Sequence, residues 1–175
     1  MRYFYVLLLS GLIFFQSSSF ASEKTIKPKD LPSYSKIYDE QSDPFKDAMA
    51  AIALAKHTQR NVLIEIGGDW CTWCHKMDAF LEKNQRVYQA LHSKFVLLKV
   101  NVSDTNKNKD FMDGMPPVLG YPHMYVSTGN GKMILSKDTA ELQVNGQYNV
   151  KTWLDFLVKW QVKTKPTTTN LVAQQ

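Results

Sequence analysis

The sequence predicts an α/β fold in which a mixed β-sheet lies between layers of helix. Three observations carry that expectation. Two short and nearly continuous apolar runs, residues 62–66 and 95–102, have the length and β-branched content of strands buried on both faces. Segments with apolar residues at helical spacing precede, separate and follow these runs. Gly129-Asn130-Gly131 lies between two further strand-like runs and marks a hairpin. A strand–helix–strand unit followed by a hairpin gives a sheet with both parallel and antiparallel neighbours.

In chain order, the first segment is expected to lie outside the fold. Arg2 is followed by an almost unbroken apolar run over residues 3–15, then small residues ending in Ser19-Phe20-Ala21. This is the pattern of an export signal cleaved after Ala21, and the run is shorter than the ~20 apolar residues that span a bilayer. An uncleaved anchor is the alternative. Ser22, not a cysteine, stands directly after the cleavage site, so a lipid-anchored form is not indicated. Residues 22–42 are polar, contain Pro28 and Pro32, and read as an exposed lead-in.

The folded domain is expected over residues 43–163. Asp43-Pro44 supplies an N-cap and a first-turn proline for a helix over 45–59, with Phe45, Met49, Ile52 and Leu54 as its apolar stripe. The strand at 62–66 runs into Gly67-Gly68, after which Met77, Phe80 and Leu81 trace a helical face. Asn84 reads as the cap of a second helical piece carrying Val87, Tyr88 and Leu91. The strand at 95–102 follows, then a short helix within 110–115. Next come a strand over 121–126, its return over 132–135, and an amphipathic helix over 150–162. Residues 164–175 form a polar tail.

The chain of 175 residues, 44% hydrophobic and 21% charged, has the composition of one ordinary globular domain. The formal charge of +5 comes from scattered lysines, which fits a solvated basic surface and not a nucleic-acid partner. Both cysteines of the chain, Cys71 and Cys74, stand together where the first strand hands over to a helix. A helix N-terminus presents unpaired N–H groups whose partial positive charge favours thiolate over thiol. A disulfide closing so short a loop constrains the unfolded chain very little, so a purely structural bridge is poorly supported.

With Trp70-Cys71-Thr72-Trp73-Cys74 at the end of the first strand and Gly120-Tyr121-Pro122 before the hairpin, the chain resembles the thioredoxin-like superfamily. Within it the chain looks most similar to the C-terminal domain of the DsbD-type thiol:disulfide interchange reductase. The segments that carry this are 65–71, 87–91, 98–102 and 118–122, and the resemblance covers about residues 44–162. It implies a thioredoxin-like three-layer fold and a thiol-disulfide oxidoreductase. Cys71 would be the exposed attacking thiolate and Cys74 the buried resolving thiol.

The resemblance also implies that Glu65 is a buried acid beneath Cys74, able to relay a proton, and that Pro122 is cis and leaves backbone groups free for a client. The bland reading of Glu65 is a solvated carboxylate at a sheet edge. Trp70 is expected beside Cys71, with Thr72, Trp73, Tyr121 and His123 as client contacts. The sequence departs from the usual pattern at Thr72-Trp73, where thioredoxins carry Gly-Pro, and at His123, where they usually carry threonine. His75 either tunes the thiolate or is a plain surface group.

Two other chemistries use the same residues. Cys71-Thr72-Trp73-Cys74-His75 is also the attachment pattern of c-type haem, with a methionine as possible distal ligand. Cys71, Cys74, His75 and Met77 are soft ligands suited to copper, although four ligands on one helical turn cannot converge on one ion. No cofactor and no metal is expected on the exchange reading. Its direction is expected to be reduction of protein clients in the periplasm, which calls for an electron donor, and a membrane partner is the expected source.

Overall fold

A computed structural model describes residues 37–163; the signal segment, most of the lead-in and the tail lie outside the described residues. In order, α1 (Pro44–His57) leads to β1 (Asn61–Gly67), α2 (Thr72–Lys83), α3 (Gln85–Lys94), β2 (Phe95–Asn101) and α4 (Lys109–Asp113). The hairpin β3 (His123–Ser127) and β4 (Met133–Asp138) follows. After a 3-10 turn at Thr139–Leu142 come the short strands β5 (Gln143–Val144) and β6 (Gln147–Tyr148), and then α5 (Val150–Trp160).

The main sheet has four strands in the order β2-β1-β3-β4, parallel between β1 and β2 and antiparallel elsewhere. β1 is therefore central, which explains why every one of its residues is buried. Side chains alternate between its two faces. Leu63 joins Met77, Leu91, Phe95, Trp153 and Phe156 in the core under α2, α3 and α5. Val62, Ile64 and Ile66 join Ala51, Ala55 and Tyr125 in the core under α1. Glu65 shares the Leu63 parity, so it points towards α2.

Asp43 caps α1 as expected, accepting the amide protons of Phe45 and Lys46. The buried face of α1 differs from the expected stripe: Ala50, Ala51 and Ala55 are buried, while Phe45 and Met49 are exposed. Alanine lets the helix backbone approach the flat sheet closely, and Phe45 instead meets Phe111 edge-on at 5.2 Å. Asn84 takes the expected N-cap position of α3, but its side-chain N–H donates back to the Phe80 carbonyl of α2 at 2.7 Å and makes no cap bond to α3. β4 runs to Asp138, three residues beyond the expected return. The β5–β6 hairpin was not expected, although Asn145-Gly146, at φ 52° and 72°, is a type I′ turn pair.

Candidate active site

Cys71 occupies the N-cap position of α2, and its Sγ accepts the amide proton of Cys74 at 3.1 Å. A helix N-terminal amide thus points at the sulfur expected to react, the arrangement that favours a thiolate. The two Sγ atoms are bonded as a disulfide, with Cα atoms 5.2 Å apart. Cys74 is fully buried. Cys71, expected as the exposed sulfur, is only 3% exposed, because it is tied to inward-facing Cys74 and packed with Tyr38.

Beneath the disulfide is a buried polar cluster. Glu65 is 1% exposed, which excludes a solvated edge carboxylate. Its Oε1 accepts a hydrogen bond from the Tyr38 hydroxyl and lies 3.8 Å from Lys99 Nζ. Lys99 in turn pairs with Asp78 of α2 at 2.5 Å. Burial pushes the Glu65 carboxyl up to about 7, with Lys99 and the Tyr38 hydrogen bond opposing the rise. Burial and the neighbouring carboxylate drive the Tyr38 phenol far above its ordinary range, so it remains a donor.

Gly67 makes this arrangement possible. A Cβ on it would lie 2.5 Å from Cys74 Sγ and 2.6 Å from the Tyr38 hydroxyl oxygen. The phenol and the resolving sulfur therefore meet across a position that admits no side chain.

The outer side is aromatic. Trp70 is 54% exposed, donates its indole N–H to the Val102 carbonyl at 2.6 Å and meets Tyr121 edge-on at 5.1 Å. It folds back over Gly68, where a Cβ would lie 2.5 Å from its Nε1. Trp73 is 38% exposed, sits edge-on to Tyr148 and carries Lys76 Nζ 4.0 Å above its ring. Thr72 is exposed and Tyr121 partly so. An open groove of about 820 Å³ runs past Trp70, Tyr121, Met115 and Pro117; a second, of about 650 Å³, runs between Trp73 and Tyr148.

The Tyr121-Pro122 bond is cis. The Pro122 carbonyl accepts the Thr139 hydroxyl proton at 2.7 Å, which uses one of its two lone pairs. His123 is not at the client surface. It is fully buried on β3, paired through Nε2 with Ser136 at 2.9 Å, and burial lowers its pKa. The strand alternation turns it with Tyr125 towards the α1 side. His75 is exposed, and its Nε2 meets the Asp69 carbonyl at 2.7 Å instead of the cysteines. Met77 is fully buried in the core with Trp153. The four soft ligands named above therefore do not converge, and the cysteine sulfurs are bonded to each other.

Three participants escaped the sequence reading. Lys99 carried a signal, as a lone cation within an apolar run needs a buried partner. Asp78 lies one turn after Cys74 on α2, a spacing that places the two on one face. Tyr38 gave no signal, being one aromatic in a polar stretch.

Residues 43–127 match the family model described as thioredoxin-like. Among solved structures, a disulphide isomerase from Xylella fastidiosa Temecula1 is similar at 25% identity with a TM-score of 0.60, covering 70% of this chain and 94% of its own. The oxidised C-terminal domain of DsbD from Neisseria meningitidis is similar in fold at 18% identity and a TM-score of 0.52, covering 73% of this chain and all of its own. No curated protein matches the sequence. The α/β fold is thus thioredoxin-like, and it carries a Cys-x-x-Cys pair of the redox type.

Proposed function

From a thioredoxin-like domain with a redox-type cysteine pair as premise, we propose that the chain is an exported thiol-disulfide oxidoreductase that reduces disulfides in protein clients. The observation that carries this reading is the placement of Cys71–Cys74 at the amide end of α2, packed with Tyr38, which bonds a buried carboxyl.

The Cys71 thiolate attacks a client disulfide, forming a Cys71–client bond and expelling the other client sulfur as a thiolate. Cys74 then gives its proton to Glu65, and its thiolate attacks Cys71 Sγ. The Cys71–client bond breaks, the second client sulfur leaves as a thiolate, and the Cys71–Cys74 disulfide remains. Two electrons have passed to the client. A carboxyl with a pKa about 7 is matched to this work, because general acid–base catalysis is most effective when the group titrates near the working pH.

Export is supported by the charged and apolar pattern of residues 1–21. The buried acid and the similarity to the DsbD domain support reduction as the direction. In an oxidising compartment the Cys71–Cys74 pair must be re-reduced, and we assign that step to a membrane-borne dithiol donor. Exposed Trp70, Trp73, Thr72 and Tyr121 form the client surface. The Xylella neighbour, described as a disulphide isomerase, supports protein disulfides as substrates.

The test is a trap. In the exporting host, Cys74→Ala leaves the Cys71–client bond unresolved, and diagonal electrophoresis should recover disulfide-linked clients and the donor. A set of adducts that persists in the additional absence of Cys71, or no adducts at all, overturns the proposal.

A further inference from the structure

The step from Cys74 to Glu65 needs a path, and a residue of the lead-in supplies one. Within residues 37–42, Tyr38 alone is buried. Its hydroxyl donates to Glu65 Oε1, while the same oxygen and Cys74 Sγ crowd the one point beside Gly67. Lys99 Nζ lies 4.8 Å from its ring centroid, so the phenol also covers the cation beneath it. The hydroxyl thus bonds the carboxyl and packs near the resolving sulfur, with one proton to give and lone pairs to accept.

We propose that Tyr38 is the relay through which the Cys74 proton reaches Glu65, and that it holds the carboxyl in position for that transfer. The inference rests on the exchange reading above. As the Cys74 S–H bond breaks, its proton bonds to the Tyr38 oxygen, and the original phenol proton passes to Glu65 Oε1. The electron pair left on Cys74 attacks Cys71 Sγ, and the client sulfur departs with the pair of the broken Cys71–client bond. Tyr38 begins and ends neutral, in keeping with a phenol held far above its ordinary range.

The groups that face this carboxyl come from several elements. They are Tyr38 from the lead-in, Lys99 from β2 and Asp78 from α2, with Cys71 and Cys74 packed against Tyr38. Tyr148 of β6 is coupled to it electrostatically. Only Tyr38 among them bonds Glu65 and also packs against Cys74, so its removal has a distinct signature.

The experiment follows both halves of one turnover. Fully reduced protein is mixed with an aromatic disulfide, 5,5′-dithiobis(2-nitrobenzoate), and the two releases of coloured thiolate report Cys71 attack and Cys74 resolution separately. Tyr38→Phe keeps the ring and removes the relay. The first release should be unchanged, and the second should slow by at least about tenfold near neutral pH. Its pH midpoint should move upward, because Glu65 loses a hydrogen bond that favours its charged form. In a Glu65→Gln background the same substitution should add nothing. Equal slowing of both releases, an unchanged second release, or a full effect in the Glu65→Gln chain overturns the proposal.

A parent protein that releases no thiolate fails the exchange reading itself, a different outcome from failure of the relay. If Tyr38→Phe does not fold, site-specific 3,5-difluorotyrosine at position 38 preserves the ring and its hydroxyl. The more acidic phenol should change the second release, and an unchanged rate counts against the relay.

Discussion

The two sides of the Cys71–Cys74 bridge break the ordinary rule of side-chain placement in opposite senses. Inside, Glu65, Lys99 and Tyr38 are polar groups taken out of water. Outside, Trp70, Trp73 and Tyr121 are large rings left in it. The inner groups are tolerable because each has a partner on the chain. The outer rings each touch one aromatic neighbour, yet 54% of Trp70, 38% of Trp73 and 36% of Tyr121 stays exposed. On the proposed exchange reading, chemistry is completed from within and recognition from without, and substitutions on the two sides should fail differently.

Glu65→Gln should give the largest effect. The carboxyl is raised from 4.5 to about 7, so below about pH 4.5 both folded and unfolded chains hold its proton. Between those values the unfolded chain ionises first, and the folded state loses about 3 kcal/mol of relative stability by pH 7. Removing the charge removes that slope. Urea unfolding across this range should show the variant gaining on the parent as pH rises, and parallel curves would refute buried ionisation. Gly67→Ala comes next. Its Cβ would force apart Cys74 and Tyr38, at a cost of about 2 kcal/mol, as for other overpacked sites. A stability within error of the parent would mean that the apposition is loose.

On the outer side, Trp73→Ala should leave stability nearly intact and lower kcat/KM for a protein disulfide by about tenfold, or about 1.4 kcal/mol. Turnover of a small aromatic disulfide should hardly change. Equal losses on both substrates would mean that Trp73 serves the chemistry and not the client. Asn84→Ala, at the far end of α2, is the control. Loss of its bond to the Phe80 carbonyl should cost about 1 kcal/mol in thermal or urea unfolding and leave both releases of thiolate untouched.

What could be read from the sequence follows the range of the interactions involved. The strand–helix step at Cys71 and the hairpin at Gly129-Asn130-Gly131 are local patterns, and both stand where expected. Pro122 was placed by resemblance and is cis. The burial of Glu65 followed from its apolar neighbours in β1. Tyr38 reaches Glu65 across 27 residues, and nothing in its polar surroundings announces that contact. For α1, large residues suggested the inner face, but close approach to the sheet favoured alanine. For His123, strand parity decided the matter, turning the ring inward from a position beside Pro122.

Glu65 and Lys99 are Cα partners across the parallel β1–β2 pair. Because side chains alternate along a strand, a slip of one residue in that pairing would send Lys99 to the opposite face. Asp78 and Cys74 arrive from α2 and Tyr38 from before α1, so the cluster has no sub-fragment that contains it. A half-formed chain carries both cysteines but no aligned acid beneath them. Its thiols are ordinary thiols until α2 caps Cys71 and the sheet locks in register, so the character of the pair belongs to the assembled fold and not to the motif.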